Sequence, residues 1–286
     1  MKKTPLNKTS LPPARTLRVG TTRYDLALRL WGEPSDEALV FLHGFLGAGE
    51  DWSDLAEGFA RAGRYVIAPD IPGHGETRAR GDYAAGDYAM ENVAEALREA
   101  LATLGVSAAR LCGYSMGGRL ALFTALRFPD IIRSATTLSA TAGLETEEER
   151  AQRRASDEAL ARGLETEPFQ DFLSRWYAQD LFADFRCAAI FPTFFAKRLN
   201  GDAREAARSL RDMGTGAQPS LWERLSENRV PLNVVAGERD EKFIRIARRM
   251  HALAPRSTLT IIPDAGHVVF AENPEATARA IAATIR

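Results

Sequence analysis

Tyr24, Leu26, Leu28 and Leu30 alternate with Asp25, Ala27 and Arg29, the period of a strand buried on one face. A second run at 16–19 can pair with it through Gly20, which predicts an antiparallel hairpin. Six continuous apolar runs follow, at 38–42, 65–68, 109–112, 132–138, 232–235 and 258–262, each trailed by a helical or loop pattern. Strands that are apolar without alternation are buried on both faces, so the alternation with helices predicts a mostly parallel sheet covered on both sides. Val93, Leu97, Leu101 and Leu104 fall on one face of a helix beginning near Tyr88, and a last helix runs from about Glu275 to the end.

Between residues 145 and 225 this rhythm breaks. The stretch keeps helical periodicity, is dense in Arg and Glu, and carries aromatics from Phe169 to Phe195, but holds no strand-like run. It predicts a helical cap inserted after the 132–138 strand, with most aromatics forming the cap's own core. The chain then divides into a mobile N-terminal tail at 1–15, an α/β core at 16–144 and 226–286, and a cap at 145–225.

Composition narrows the function classes. With 286 residues, 45% hydrophobic and 26% charged, the chain can bury one substantial core with an insertion. Its formal net charge of −1 leaves no electrostatic footprint for nucleic acid or an anionic membrane surface. Cys112 and Cys187 are too few for a disulfide framework and sit in no metal-ligand spacing, so neither a metal nor a cofactor is expected. The lysines and prolines before Thr16 are followed by no apolar stretch of signal-peptide length, and no window approaches a membrane span. The expectation is a cytoplasmic protein acting on a small molecule.

The chemistry concentrates at Gly113-Tyr114-Ser115-Met116-Gly117, between the 109–112 strand and a helical stretch. A Gly-x-Ser-x-Gly turn in that context forces the serine into a strained conformation that exposes its hydroxyl at a helix N-terminus. Serine is a poor nucleophile and a poor base at neutral pH, so it needs a histidine in reach and an acid to orient the ring. In this topology the acid follows the penultimate strand and the histidine the last one. Asp240 and His267 stand in those two loops, with Glu238 and Asp264 as fallback acids. Of the other histidines, His251 reads as a helix-surface residue, while His43 and His74 read as braces of their loops. An oxyanion hole needs two amides: Met116 supplies one and Phe45, in Phe41-Leu42-His43-Gly44-Phe45, the other. Arg119 lies four residues after Ser115 and shares its helix face one turn on, within reach of a substrate carboxylate.

These residues carry a family likeness. The elbow, the 41–45 loop, Asp70-Ile71-Pro72-Gly73-His74-Gly75 and Ala265-Gly266-His267 resemble the α/β-hydrolase fold. Gly117-Gly118-Arg119, Glu149-Arg150-Ala151-Gln152-Arg153, Trp176-Tyr177, Leu210-Arg211 and Gly237-Glu238-Arg239-Asp240-Glu241-Lys242-Phe243 resemble more narrowly the 2-succinyl-6-hydroxy-2,4-cyclohexadiene-1-carboxylate synthase (MenH) family of menaquinone biosynthesis. The resemblance implies substrate contacts for Tyr114, Arg119, Arg153, Trp176 and Arg211, with Arg208 and Arg198 as substitutes for the last. It implies a lyase that eliminates pyruvate from a polycarboxylate and needs no cofactor. A serine hydrolase acting on an ester or a C–C bond would use the same triad, and a non-catalytic binding protein could keep the same fold.

Overall fold

A computed structural model describes residues 14–285. Most of the expected 1–15 tail therefore lies outside the described residues, but Arg15 corrects its boundary. It opens β1 (Arg15–Gly20), where it pairs with Leu30 of β2 (Tyr24–Trp31) in the antiparallel hairpin. The remaining strands are β3 (Glu37–Leu42), β4 (Tyr65–Pro69), β5 (Arg78–Ala79), β6 (Ala108–Tyr114), β7 (Ile132–Leu138), β8 (Leu232–Gly237) and β9 (Ser257–Ile262). They form one sheet in the order β1-β2-β4-β3-β6-β7-β8-β9, parallel from β4 to β9, with the two-residue β5 on the side of β2.

Alternate residues of β3 divide the core. Ala38, Val40 and Leu42 join one apolar cluster with α2 (Met90–Thr103), α3 (Met116–Arg127) and α9 (Glu241–Leu253). Leu39 and Phe41 join the other, with α1 (Ser53–Arg61), α10 (Val269–Glu272) and α11 (Pro274–Ala282). Helices on both faces explain why strands β3, β4, β6, β7 and β8 read as unbroken apolar runs. The strand order reverses direction beside β3 and β6, so the chains leaving their carboxyl ends diverge and open a crevice there. Those two exits are the 43–48 loop and the Ser115 turn.

Between β7 and β8 the chain runs through α4 (Glu147–Thr166), α5 (Phe169–Tyr177), α6 (Ala183–Arg186), α7 (Phe191–Arg198) and α8 (Ala203–Met213). A capping box starts α4: Thr146 accepts from the Glu149 amide, and the Glu149 carboxylate accepts from the Thr146 amide. Phe172, Leu173, Tyr177, Phe185 and Phe194 are buried in the same cluster as Phe41 and Trp52, so these helices share a core with the sheet rather than hanging from it. The tie is also ionic. Arg198 at the end of α7 is bidentate to Asp51, at 2.7 and 2.8 Å, in the turn beyond the 43–48 loop. Among the described residues no helix is long and apolar enough to cross a membrane.

Candidate active site

Ser115 sits at φ 50°, ψ −109° between β6 and α3, in the strained region that side chains with a Cβ avoid. Its backbone is over-determined: the Ser115 amide donates to Leu138 O at 2.9 Å, and its carbonyl accepts from the Arg119 amide at 3.0 Å. The flanking glycines are demanded by contact rather than flexibility. A Cβ on Gly113 would stand 2.1 Å from Gly117 O, and one on Gly117 would stand 2.2 Å from Leu42 O. Met116 is the first residue of α3, where an amide has no acceptor within its own helix.

The loop bearing Phe45 is held from beneath by His43. The Ile71 amide donates to its Nε2 at 2.9 Å, which leaves Nδ1 protonated and donating to Gly44 O at 2.8 Å. That pairing fits a neutral ring, and burial pushes the His43 pKa below the ordinary histidine value. His74 packs 5.1 Å from His43 and 5.6 Å from Phe45, with neither ring nitrogen partnered among the described residues. Burial, and then the neighbouring His43, push its pKa well down. Both rings bind fewer protons folded than unfolded below about pH 6.5, so stability present at neutral pH is lost as the pH falls. We expect the Tm to drop between pH 7 and pH 5, and His74→Leu to make that drop shallower. An unchanged slope in the variant would mean that His74 gains its proton while still folded.

Asp240 serves two donors. One oxygen accepts from the Phe243 amide at 3.1 Å and caps α9; the other lies 2.7 Å from His267 Nδ1. Both side chains are buried, and the imidazole is walled by Tyr114 at 5.4 Å, Phe182 at 6.0 Å and Phe243 at 4.5 Å. The fallback acids are engaged elsewhere: Glu238 accepts from the Asp264 amide, and the Asp264 carboxylate pairs with Arg239.

Ser115 and His267 open into one cavity, part of it open to solvent, between the sheet and the cap helices. Phe45, Met116, Arg119, Arg153 and Trp176 line it. Phe45 meets Trp176 edge-on at 5.3 Å, closing the 43–48 loop against the cap helices. Tyr114 lies one step away, in an adjoining chamber that also touches Ser115 and Arg198. Arg119 is buried, its Nη1 donating to Met213 O at 2.9 Å and Gln218 Oε1 at 2.8 Å. Burial and the nearby Arg153 lower its pKa to about 10.

Arg211 requires correction. Its guanidinium is bound by Glu158 and Glu165 and does not line the cavity. Ser209, Leu210 and Met213 of α8 do, and at about 100° per residue position 211 turns to the helix's other side. Arg208 lies over the Tyr83 ring and pairs with Glu205, which leaves Arg198 as the candidate that reaches the site region. The residue that motif reading missed is Lys242, which lines the cavity. A signal was present in the sequence, since a cation in the first turn of a helix is disfavoured by the helix dipole.

A family model described as the alpha/beta hydrolase fold matches residues 37–274. The chain is 33% identical over 255 residues to the 2-succinyl-6-hydroxy-2,4-cyclohexadiene-1-carboxylate synthase of Salmonella heidelberg (strain SL476), covering 89% of this chain and 96% of that one. It is 36% identical over 248 residues to the chloroplastic protein PHYLLO of Arabidopsis thaliana, covering 82% of this chain but only 14% of that much longer protein. Among solved structures, MenH from S. aureus superposes with a TM-score of 0.85 at 31% identity, covering 93% of this chain and 98% of the other.

Proposed function

This chain belongs to the α/β-hydrolase fold family and, within it, to the 2-succinyl-6-hydroxy-2,4-cyclohexadiene-1-carboxylate synthases, and on that premise we propose that it is the cytoplasmic lyase that forms this product in menaquinone biosynthesis by eliminating pyruvate. One observation carries the proposal beyond the family: the cavity holding Ser115 and His267 is lined by Arg119, Arg153 and Lys242 and, among the described residues, by no carboxylate side chain. Three cations, of which only Arg153 is paired with a carboxylate, suit a substrate carrying several carboxylates, and they would repel a cationic one.

In the proposed mechanism Asp240 holds His267 with Nδ1–H toward itself, so that Nε2 is free to draw the proton from Ser115. The serine oxygen removes a substrate proton α to a carbonyl, and the electron pair moves onto that carbonyl oxygen as an enolate. The Phe45 and Met116 amides stabilise the enolate. Its collapse forms the ring double bond and breaks the C–O bond to the three-carbon unit, which takes up a proton and leaves as pyruvate. The bases are regenerated and no covalent intermediate forms. Arg119 and Arg153 hold carboxylates so that the reacting carbon lies over Ser115.

The test is pyruvate release from the family's substrate, with mass spectrometry of the enzyme during turnover. We expect pyruvate and ring product in equal amounts and an unmodified Ser115. A serine adduct that forms and decays at the steady-state rate would overturn the elimination and favour a hydrolase.

A further inference from the structure

Of the three cations lining the cavity, Lys242 is the one held by neither an ion pair nor a hydrogen bond among the described residues. Arg119 donates to a carbonyl and an amide oxygen, and Arg153 pairs with Asp157 at 2.7 Å. Lys242 has no carboxylate in ion-pairing reach among the described residues; its ammonium stands 5.8 Å from the centre of the Phe243 ring. The adjacent Glu241 does not neutralise it, since it faces Arg245 at 3.8 Å.

Its place in the helix points the same way. Lys242 is the second residue of the 13-residue α9, capped by Asp240, where the amides add positive potential of their own. An acidic side chain is favoured there and a lysine is disfavoured. A solvent-exposed cation at this end of a helix, beside a cavity that no carboxylate lines among the described residues, is placed to meet an anion that enters the cavity. Phe243 links it to the chemistry, since that ring packs 4.5 Å from His267. The two arginines enter the cavity from α3 and α4 instead.

We propose that Lys242 binds the carboxylate of the departing three-carbon unit, so that a cation beside Phe243, the ring packed on His267, receives the charge of the leaving pyruvate. This rests on the elimination proposed above. The ammonium is a compact charge that tolerates motion of its partner, which suits a group that must leave, whereas planar guanidinium forks suit carboxylates that stay fixed on the ring.

The experiment compares wild type with Lys242→Gln, Lys242→Arg and Lys242→Glu, measuring kcat/KM for pyruvate release, inhibition by added pyruvate, and Tm. In Lys242→Gln we expect kcat/KM to fall about tenfold to a hundredfold, as for loss of a hydrogen bond to a charged group. Pyruvate inhibition should weaken by a similar factor, inhibition by the ring product should change little, and the Tm should hold or rise as the dipole conflict is removed. Lys242→Arg should keep most of the activity and Lys242→Glu should lose more than Lys242→Gln. Unchanged pyruvate inhibition in an active Lys242→Gln, or weakened binding of the ring product alone, would overturn the assignment. A wild-type enzyme that releases no pyruvate would instead overturn the function on which it rests.

Discussion

Ser115→Ala and His267→Ala are each expected to lower kcat/KM by about a thousandfold or more, and the double variant should be little worse than either alone. Residues that pass one proton act as a unit, so the first removal takes nearly everything and the second finds little left. The geometry makes the two substitutions clean. Ser115 is held by backbone bonds to Leu138 and Arg119 that do not involve its hydroxyl, so alanine can occupy the same strained position. His267 is packed among three aromatic rings, and alanine there leaves a void whose effect on Tm must be measured beside activity. Asp240→Asn supplies the control: an amide oxygen can still cap α9 through the Phe243 amide, while the partner of His267 Nδ1 loses its charge. Its activity should fall with little loss of stability. Additive losses in the Ser115/His267 double variant would count against a shared relay.

Arg119→Ala is expected to lower kcat/KM on the polycarboxylate by about tenfold to a hundredfold, on the basis that hydrogen bonds to charged groups contribute about 1.5–3 kcal/mol. Its position explains why. Burial and the like charge of Arg153 depress its pKa to about 10, yet it stays charged at neutral pH, so the pair is an unfavourable arrangement that a bound carboxylate relieves. Lysine should rescue only in part, because it keeps the charge but cannot span Met213 O, Gln218 and a ligand as one rigid fork does. Since alanine also strips a donor from those two acceptors, some fall in Tm is expected, and the discriminating readout is substrate class. Turnover of a neutral aryl ester, where detectable, should be nearly unchanged. Equal losses on both substrates would assign Arg119 to the fold.

Parts of the molecule that follow from local rules were legible before any coordinates. Every strand from β1 to β9 except β5 falls on an alternating or continuous apolar run, because side-chain period and burial on one or both faces are written into hydrophobicity. β5 has only two residues and no pattern of its own; it exists because Tyr24 and Asp25 offer a free strand edge. The elbow was legible because close packing there admits only glycine at positions 113 and 117, and those contacts leave a trace in the sequence. Asp240 could be read as the partner of His267 from its loop alone; the structure also gives its other oxygen to the Phe243 amide, as the cap of α9.

Helix-borne cations were the opposite case. Arg211 and Arg198 both lie in cap helices rich in arginine, and nothing in their spacing tells which faces the site. Packing turned Ser209, Leu210 and Met213 of α8 toward the cavity and left Arg211 to Glu158 and Glu165, while Arg198 was drawn inward to Asp51. The sequence by itself determined the sheet, the turn that exposes Ser115 and the loops that carry Asp240 and His267, because each depends on steric and hydrophobic demands satisfied within a few residues. Only the tertiary structure decided which cations face the cavity, and that Lys242 is among them, because the direction of a long flexible side chain is set by the distant carboxylates and apolar surfaces the fold brings beside it.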